Sequence, residues 1–158
     1  MSLNVSAANN VSCNGGTDGI ATAVASGGTP TYGFQWSASA GSQTTATANN
    51  LQAGTHTVIV TDANGCIITG SVTITEPSAL SLTTAVGANV SCNGGSDGQA
   101  TITVTGGTPD ATGNYQYQWS TSAGNQITAT ANNLPAGPAG KLLAVAVIWL
   151  PALVLHWY

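Results

Sequence analysis

The sequence predicts an all-β chain built from two tandem copies of one module, and three observations carry that expectation. The stretch Cys13-Asn14-Gly15-Gly16-Thr17-Asp18-Gly19 returns as Cys92-Asn93-Gly94-Gly95-Ser96-Asp97-Gly98, a spacing of 79 residues, which is a domain length and not a solenoid rung. Segments between these marks alternate apolar and polar residues with period two and end at Gly, Pro, Asn or Asp. Only 4% of residues are charged while 42% are apolar, a balance that supplies a core and argues against disorder.

The repetition continues beyond that stretch. Gly27-Gly28-Thr29-Pro30 recurs as Gly106-Gly107-Thr108-Pro109, Gln35-Trp36-Ser37 as Gln118-Trp119-Ser120, and the run from Thr45 to Leu51 as Thr128 to Leu134. After the Gly-Gly-Thr-Pro turn the spacing grows to 83, so the second copy carries four extra residues around Asp110 to Asn114, read as a surface hairpin loop. The expected modules are residues 1–78 and 79–158.

Within the first copy, residues 3 to 12 read as a short edge strand leading into a Gly-rich turn, and Ile20 to Ser26 as the next strand. Tyr32, Phe34 and Trp36 fall at every second position and therefore share one strand face, as do Tyr115, Tyr117 and Trp119. All six are expected to fill the core; the competing reading is sugar stacking on an exposed ring. Thr44 to Ala48 predicts a strand and Asn49 to Gly54 a turn. His56 to Thr61 and Cys66 to Thr75 predict a hairpin around Asp62-Ala63-Asn64-Gly65, where Asn and Gly accept the positive φ of a tight turn. Glu76-Pro77 ends the module, because Pro cannot donate to a ladder. About seven short strands per module make an immunoglobulin-like β-sandwich the expected architecture.

Cys13 and Cys66 are expected to form a structural disulfide if the chain is exported, bracing the module by roughly 4 kcal/mol in the chain-entropy picture. The alternative is two reduced thiols. Cys92 has no partner, since the position equivalent to Cys66 is Trp149 and the whole final hairpin of the second module is missing. From Lys141 onward the chain abandons its own pattern, with no Gly, Thr, Ser or Asn in residues 141–158. A membrane helix needs about 20 apolar residues, whereas 17 follow Lys141 and Pro151 interrupts them. A shifted reading frame or an assembly error produces an abrupt change of this kind. Leu142 to Leu150 is also suited to lie in the vacant strand position, or a neighbouring chain's Leu3 to Ala8 fills it by β-augmentation.

Several function classes are excluded or weakened. Lys141 is the one Lys or Arg, so the basic surface that nucleic acid requires is missing. His56 and His156 lie outside any nucleophile motif, and no spacing pairs two carboxylates, so no enzyme is expected. Asp62-Ala63-Asn64-Gly65 superficially matches the start of an EF-hand loop but lacks its closing Glu. Turn formation explains these residues, with calcium near Asp18 or Asp97 as the alternative. Asn4, Asn10 and Asn89 begin glycosylation-like triplets of the sort Asn-rich sequence produces by chance. Met1-Ser2-Leu3 leads directly into repeat-like sequence, and the chain is expected to begin inside a longer protein.

Val11 to Gly19, Gly27 to Pro30, Tyr32 to Trp36, Asn49 to Gly54 and Val60 to Cys66, in that order and largely repeated, resemble the SprB repeat. The resemblance implies a tandem module of very large cell-surface or secreted adhesins of Bacteroidetes-type bacteria, including the mobile adhesin of gliding cells, exported by the type IX route. It transfers no catalytic residue and no ligand site. The expected function is therefore structural and adhesive, at the cell surface, with neighbouring repeats, identical chains or surface glycans as partners. The rival readings are a carbohydrate-binding module, with or without calcium, and a filament subunit that polymerises by strand complementation.

Overall fold

The computed structural model describes residues 1–136 and the backbone of 146–149. The chain forms two compact units, Met1–Ala79 and Leu80–Tyr158. Apart from two 3₁₀ turns, the described regular structure is all strand.

The first unit has six strands: β1 (Ser2–Asn9), β2 (Gly19–Ser26), β3 (Gly33–Trp36), β4 (Thr47–Leu51), β5 (Gly54–Thr61) and β6 (Ile67–Ile74). They form two antiparallel sheets in the orders β1-β2-β4 and β3-β5-β6. Lettered in chain order, these are the A-B-E and C-F-G sheets of an immunoglobulin-like sandwich without strand D. The count is one fewer than the expected seven. The 3₁₀ turn Ala38–Ala40 occupies the D region, closed by bonds from Ala40 N–H to the Ser37 carbonyl and from Gly41 N–H to Ala38, with Gly41 at φ 70°. The expected turn at Asn49-Asn50 instead lies inside β4. There the pairing with β2 shifts register and Asn50 takes φ 56°, a bulge that Asn tolerates better than most residues.

The core lies between the sheets and is assembled from unequal pieces. Trp36 is 1% exposed, and Ala21, Ala23, Ala40 and Ala48 are buried with it, their short side chains leaving room for one indole. Leu51, Val58, Val60 and Ile74 complete the layer. The alternation Val58, Val60 inward against Thr57, Ile59 outward follows from the two-residue period of a strand. Leu3 and Val5 of β1 pack over Gly70 of β6, where a Cβ would stand 2.6 Å from Val5 Cγ2 and 2.9 Å from Leu3 Cδ2. Gly70 is thus a close-approach glycine, and a larger residue there displaces the Val5 and Leu3 side chains.

The second unit repeats the first of these sheets as β7 (Ser81–Ala88), β8 (Gly98–Thr105) and β10 (Thr130–Leu134), in the order β7-β8-β10. Its other sheet pairs β9 (Gln116–Trp119) with β11 (Ala146–Trp149). Ala146 stands opposite Trp119 as Val58 stands opposite Trp36, so part of the atypical tail occupies the place of β5. The rest of the expected Leu142–Leu150 strand lies outside the described residues. The inserted residues do form a tight turn, with Asp110 N–H donating to the Asn114 carbonyl and Gly113 N–H to that of Asp110. No helix among the described residues is long and apolar enough to cross a membrane.

Replacing Trp36 by Ala is expected to destabilise the protein by about 3–5 kcal/mol, since a buried indole is lost and the surrounding alanines cannot collapse into its volume. Urea unfolding of wild type and variant, followed by far-UV circular dichroism, measures this. A loss under about 1 kcal/mol would mean that the indole does not fill the core as described.

Candidate functional site

The repeated stretch from Cys13 to Gly19 is the natural first candidate, and its residues bind the chain itself. Val11 is buried and donates its N–H to the Thr75 carbonyl at 2.9 Å, fastening the loop to the end of β6. Asp18 Oδ1 accepts the Ser12 N–H at 3.0 Å. Gly15, at φ 74°, turns its N–H onto Glu76 Oε2 at 2.7 Å, while Asn14 Nδ2 donates to Glu76 Oε1 at 3.0 Å and to the Pro77 carbonyl at 3.1 Å. Both Glu76 oxygens are engaged. A Cβ on Gly19 would meet the Leu51 carbonyl at 2.7 Å and Ile74 Cγ2 at 2.8 Å, which explains the last glycine by close packing. The second copy repeats the device where its partners exist, with Ser91 N–H on Asp97 Oδ1 at 3.0 Å.

The hairpin turn Asp62–Cys66 is a second carboxylate-centred knot. Asp62 is 6% exposed, and its oxygens accept the N–H groups of Thr29 (3.1 Å), Asn64 (3.0 Å) and Cys66 (2.9 Å). The Thr29 N–H foremost, then that of Cys66, holds the Asp62 carboxyl below its ordinary value of 3.8, against the opposing effect of burial. Asp18 and Asp97 are lowered by hydrogen bonds from Ser12 and Ser91, and Asp110 by Thr112 first and Asn114 next. With Lys141 the one Lys or Arg in the chain, these carboxylates are held by N–H and O–H dipoles. Among the described residues no three His, Cys, Asp or Glu side chains converge as a metal site.

The six aromatics divide by depth. Trp36 and Trp119 are buried, each indole N–H donating to a main-chain carbonyl, Thr45 at 2.9 Å and Thr128 at 2.8 Å. Phe34 and Tyr117 are half-buried against the two cores. Tyr32 and Tyr115 are also half-buried, with hydroxyls on the Gly27 and Gly106 carbonyls at 2.7 Å. In the second unit an open cleft of about 390 Å³ is lined by Tyr115, Gln116, Tyr117, Gln118 and Ile127, and Ile127 is 73% exposed. His56 is 2% exposed, and its Nε2–H donates to the Gln52 carbonyl at 3.0 Å while Nδ1 lies 3.2 Å from Ser39 Oγ. Both ring nitrogens serve the fold.

The expected Cys13–Cys66 disulfide is corrected by the structure. All three cysteines are free thiols, Cys66 and Cys92 exposed and Cys13 half-buried. Cys13 lies in the loop that grips Glu76, at the end where β6 finishes, whereas Cys66 lies in the turn where β6 begins. The eight residues of β6 separate them, a span of roughly 25 Å against the roughly 4–7 Å between Cα atoms that a disulfide allows. The sequence placed both near strand ends but did not say which ends.

Sequence reasoning missed Gln43 and Gln126. Gln43 Nε2 donates to the carbonyls of Ala40 (2.7 Å) and Asn49 (2.9 Å), and its Oε1 accepts Asn49 N–H at 3.0 Å. Gln126 repeats all three bonds with Ala123 and Asn132. The signal was present, since both glutamines follow a Ser-Ala-Gly run at the same 83-residue spacing as the tryptophans.

Strand order and the self-satisfied loops together define a tandem immunoglobulin-like structural module. The SprB repeat family model matches residues 5–41 and 84–124, one segment in each unit. That repeat is a structural module of adhesin-type cell-surface proteins. No curated protein matches the chain. Among solved structures, the amphioxus IgVJ-C2 molecule is similar at 13% identity and a TM-score of 0.35, over 81% of this chain and 86% of that one.

Two outcomes are expected. The depressed carboxyls bind fewer protons folded than unfolded, so their contribution is present above about pH 4 and is lost as pH falls through their folded values. Urea midpoints taken from neutral pH down to about pH 2.5 should fall in acid, and Asp62→Ala should lower the neutral midpoint and flatten the acid limb. Second, unreduced protein should release three native-state equivalents with a thiol reagent, Cys13 slowest, and reductant should leave the melting temperature unchanged. A mass two hydrogens short, or a melting temperature lowered by reductant, would restore the bridge.

Proposed function

We propose that the chain is a non-catalytic, structural and adhesive segment of a large extracellular protein, in which SprB-type sandwiches are strung in a row from a bacterial surface or along a fibre. The paired SprB matches carry this reading. The physical chemistry supports it. The recurrent polar groups that a site would use are consumed in holding turns: Asp18, Asp62 and Glu76 accept main-chain N–H groups. Outward positions on β5 and β6 are Thr, Ser and Ile, giving a neutral surface that presents hydroxyls and methyls to its surroundings. Such a surface binds through many weak contacts, and repetition multiplies them through effective concentration.

The cleft beside Tyr115 and Tyr117 favours one further reading, a carbohydrate-binding module in which a sugar stacks on the open side of a half-buried ring. The two readings separate on a glycan array probed with and without chelator. The structural reading expects no saturable glycan. A saturable signal that Tyr117→Ala abolishes while the fold is retained would replace it with the carbohydrate reading. For location, antibody against the chain is expected to label intact cells producing the parent protein, and external protease to remove the label; signal confined to lysed cells would sink the surface assignment.

A further inference from the structure

The first sheet of the first unit ends at β4, and the place of a D strand beside it is taken by a 3₁₀ turn, so among the described residues no strand pairs with the outer edge of β4. An unpaired edge is a template on which another chain can add a strand, and proteins commonly guard it with lysine or proline. This chain has one Lys or Arg in all, and Thr47–Leu51 contains neither a charge nor a proline. Repetition sharpens the hazard. β10 has the same five residues, Thr-Ala-Asn-Asn-Leu, so tandem modules present like strands to one another at high effective concentration.

Antiparallel pairing fixes which main-chain groups of β4 point outward. Ala23 N–H donates to the Ala46 carbonyl and Ala21 stands opposite Ala48, so Ala46 and Ala48 turn toward β2 while Thr47 and Asn49 turn away from it. Of the four groups that Thr47 and Asn49 present outward, three are taken by side chains of the preceding segment. Gln43 serves both groups of Asn49 at once, Nε2 donating to the carbonyl at 2.9 Å and Oε1 accepting the N–H at 3.0 Å, the same pair of bonds that a residue of an added strand would make. Thr45 Oγ1 donates to the Thr47 carbonyl at 2.6 Å. Beyond Asn49 the bulge at Asn50, φ 56°, breaks the regularity of the edge. The second unit repeats every part: Gln126 holds both groups of Asn132 at 2.8 and 2.9 Å, Thr128 Oγ1 donates to the Thr130 carbonyl at 2.6 Å, and Asn133 takes φ 54°.

We propose that Gln43 with Thr45, and Gln126 with Thr128, are edge plugs: side chains that stand in for the missing D strand and keep β4 and β10 from pairing with the same edge of a second copy of this chain. The partner excluded is a like module in antiparallel register, because the edge offers only main-chain groups and an uncharged surface. In a chain almost without ions, an amide does what a lysine does elsewhere. The inference does not require the adhesive role.

Sedimentation velocity of the full chain from ~10 µM to ~1 mM tests it. Wild type is expected to stay monomeric. Gln43→Ala combined with Gln126→Ala should self-associate at least about tenfold more tightly. Gln43→Glu with Gln126→Glu loses the same donated bonds but places a charge on each edge, and should stay monomeric. Thr47→Pro with Thr130→Pro, added to the alanine pair, removes the remaining outward N–H and should restore the monomer. Far-UV circular dichroism checks that each variant is folded; if the alanine pair is not, Thr45→Val with Thr128→Val, which keeps the shape and frees one carbonyl per edge, should show the same association more weakly. A folded alanine pair, or a valine pair in its place, that stays monomeric overturns the proposal. So does association of the glutamate pair to the same degree, which marks general destabilisation, or association that the prolines leave untouched.

Discussion

The burial of one indole between two small sheets is the constraint from which the rest of each unit follows. A tryptophan on a four-residue strand reaches across the whole layer, and alanines face it because anything larger would force the sheets apart. The indole N–H must be satisfied once buried, and the carbonyl that accepts it belongs to Thr45 in one unit and Thr128 in the other. That demand pulls the segment before β4 inward, displaces the start of the strand, and leaves Gln43 and Gln126 to tie the resulting irregular backbone. The indole bond and the glutamine ties thus recur together in both units, between the tryptophan strand and β4 or β10.

With almost no ions available, the modules close their loops by pointing carboxylates at amide hydrogens. Asp18 holds the turn after β1, Asp62 the β5–β6 hairpin, Glu76 the exit from β6, and Asp110 the inserted turn of the second unit. Those at Asp18 and Asp110 are local knots that survive duplication and insertion independently, whereas Asp62 also reaches back to Thr29 and Glu76 to Asn14 and Gly15. This explains how the second unit keeps its first sheet, its Asp97 turn and its Trp119 pocket while its final hairpin is replaced by unrelated sequence.

The architecture was legible because repetition marked the module and period-two alternation marked the strands. Thr57 to Thr61 read directly as they are built, whereas of the aromatic triplets only Trp36 and Trp119 are buried, and Tyr32 and Tyr115 lie just outside their strands. What misled was turn chemistry that tertiary packing overrode: Asn49-Asn50 has the composition of a turn yet forms a bulged strand, because Gln43 holds Asn49 and Leu51 is drawn into the core. The cysteines were misjudged for a different reason. Their positions in loops were readable, but which pole of the sandwich each loop occupies depends on strand direction across the two sheets, and that is a property of topology. Within the repeated motif, Asp18 and Gly15 make the turn as read, Gly19 serves close packing, and the grip of Asn14 and Gly15 on Glu76 spans 62 and 61 residues of sequence and left no local trace.

The first unit begins and ends at opposite poles. Met1 lies against Gly27 and Gly28 near the Asp62 turn, and Glu76 lies at the far end, with β1 and β6 both running from the first pole to the second. A pull on the two termini therefore loads β1 along β2 and β6 along β5 in shear, so that whole ladders resist together and do not peel open one rung at a time. The geometry suits a link in a chain under tension.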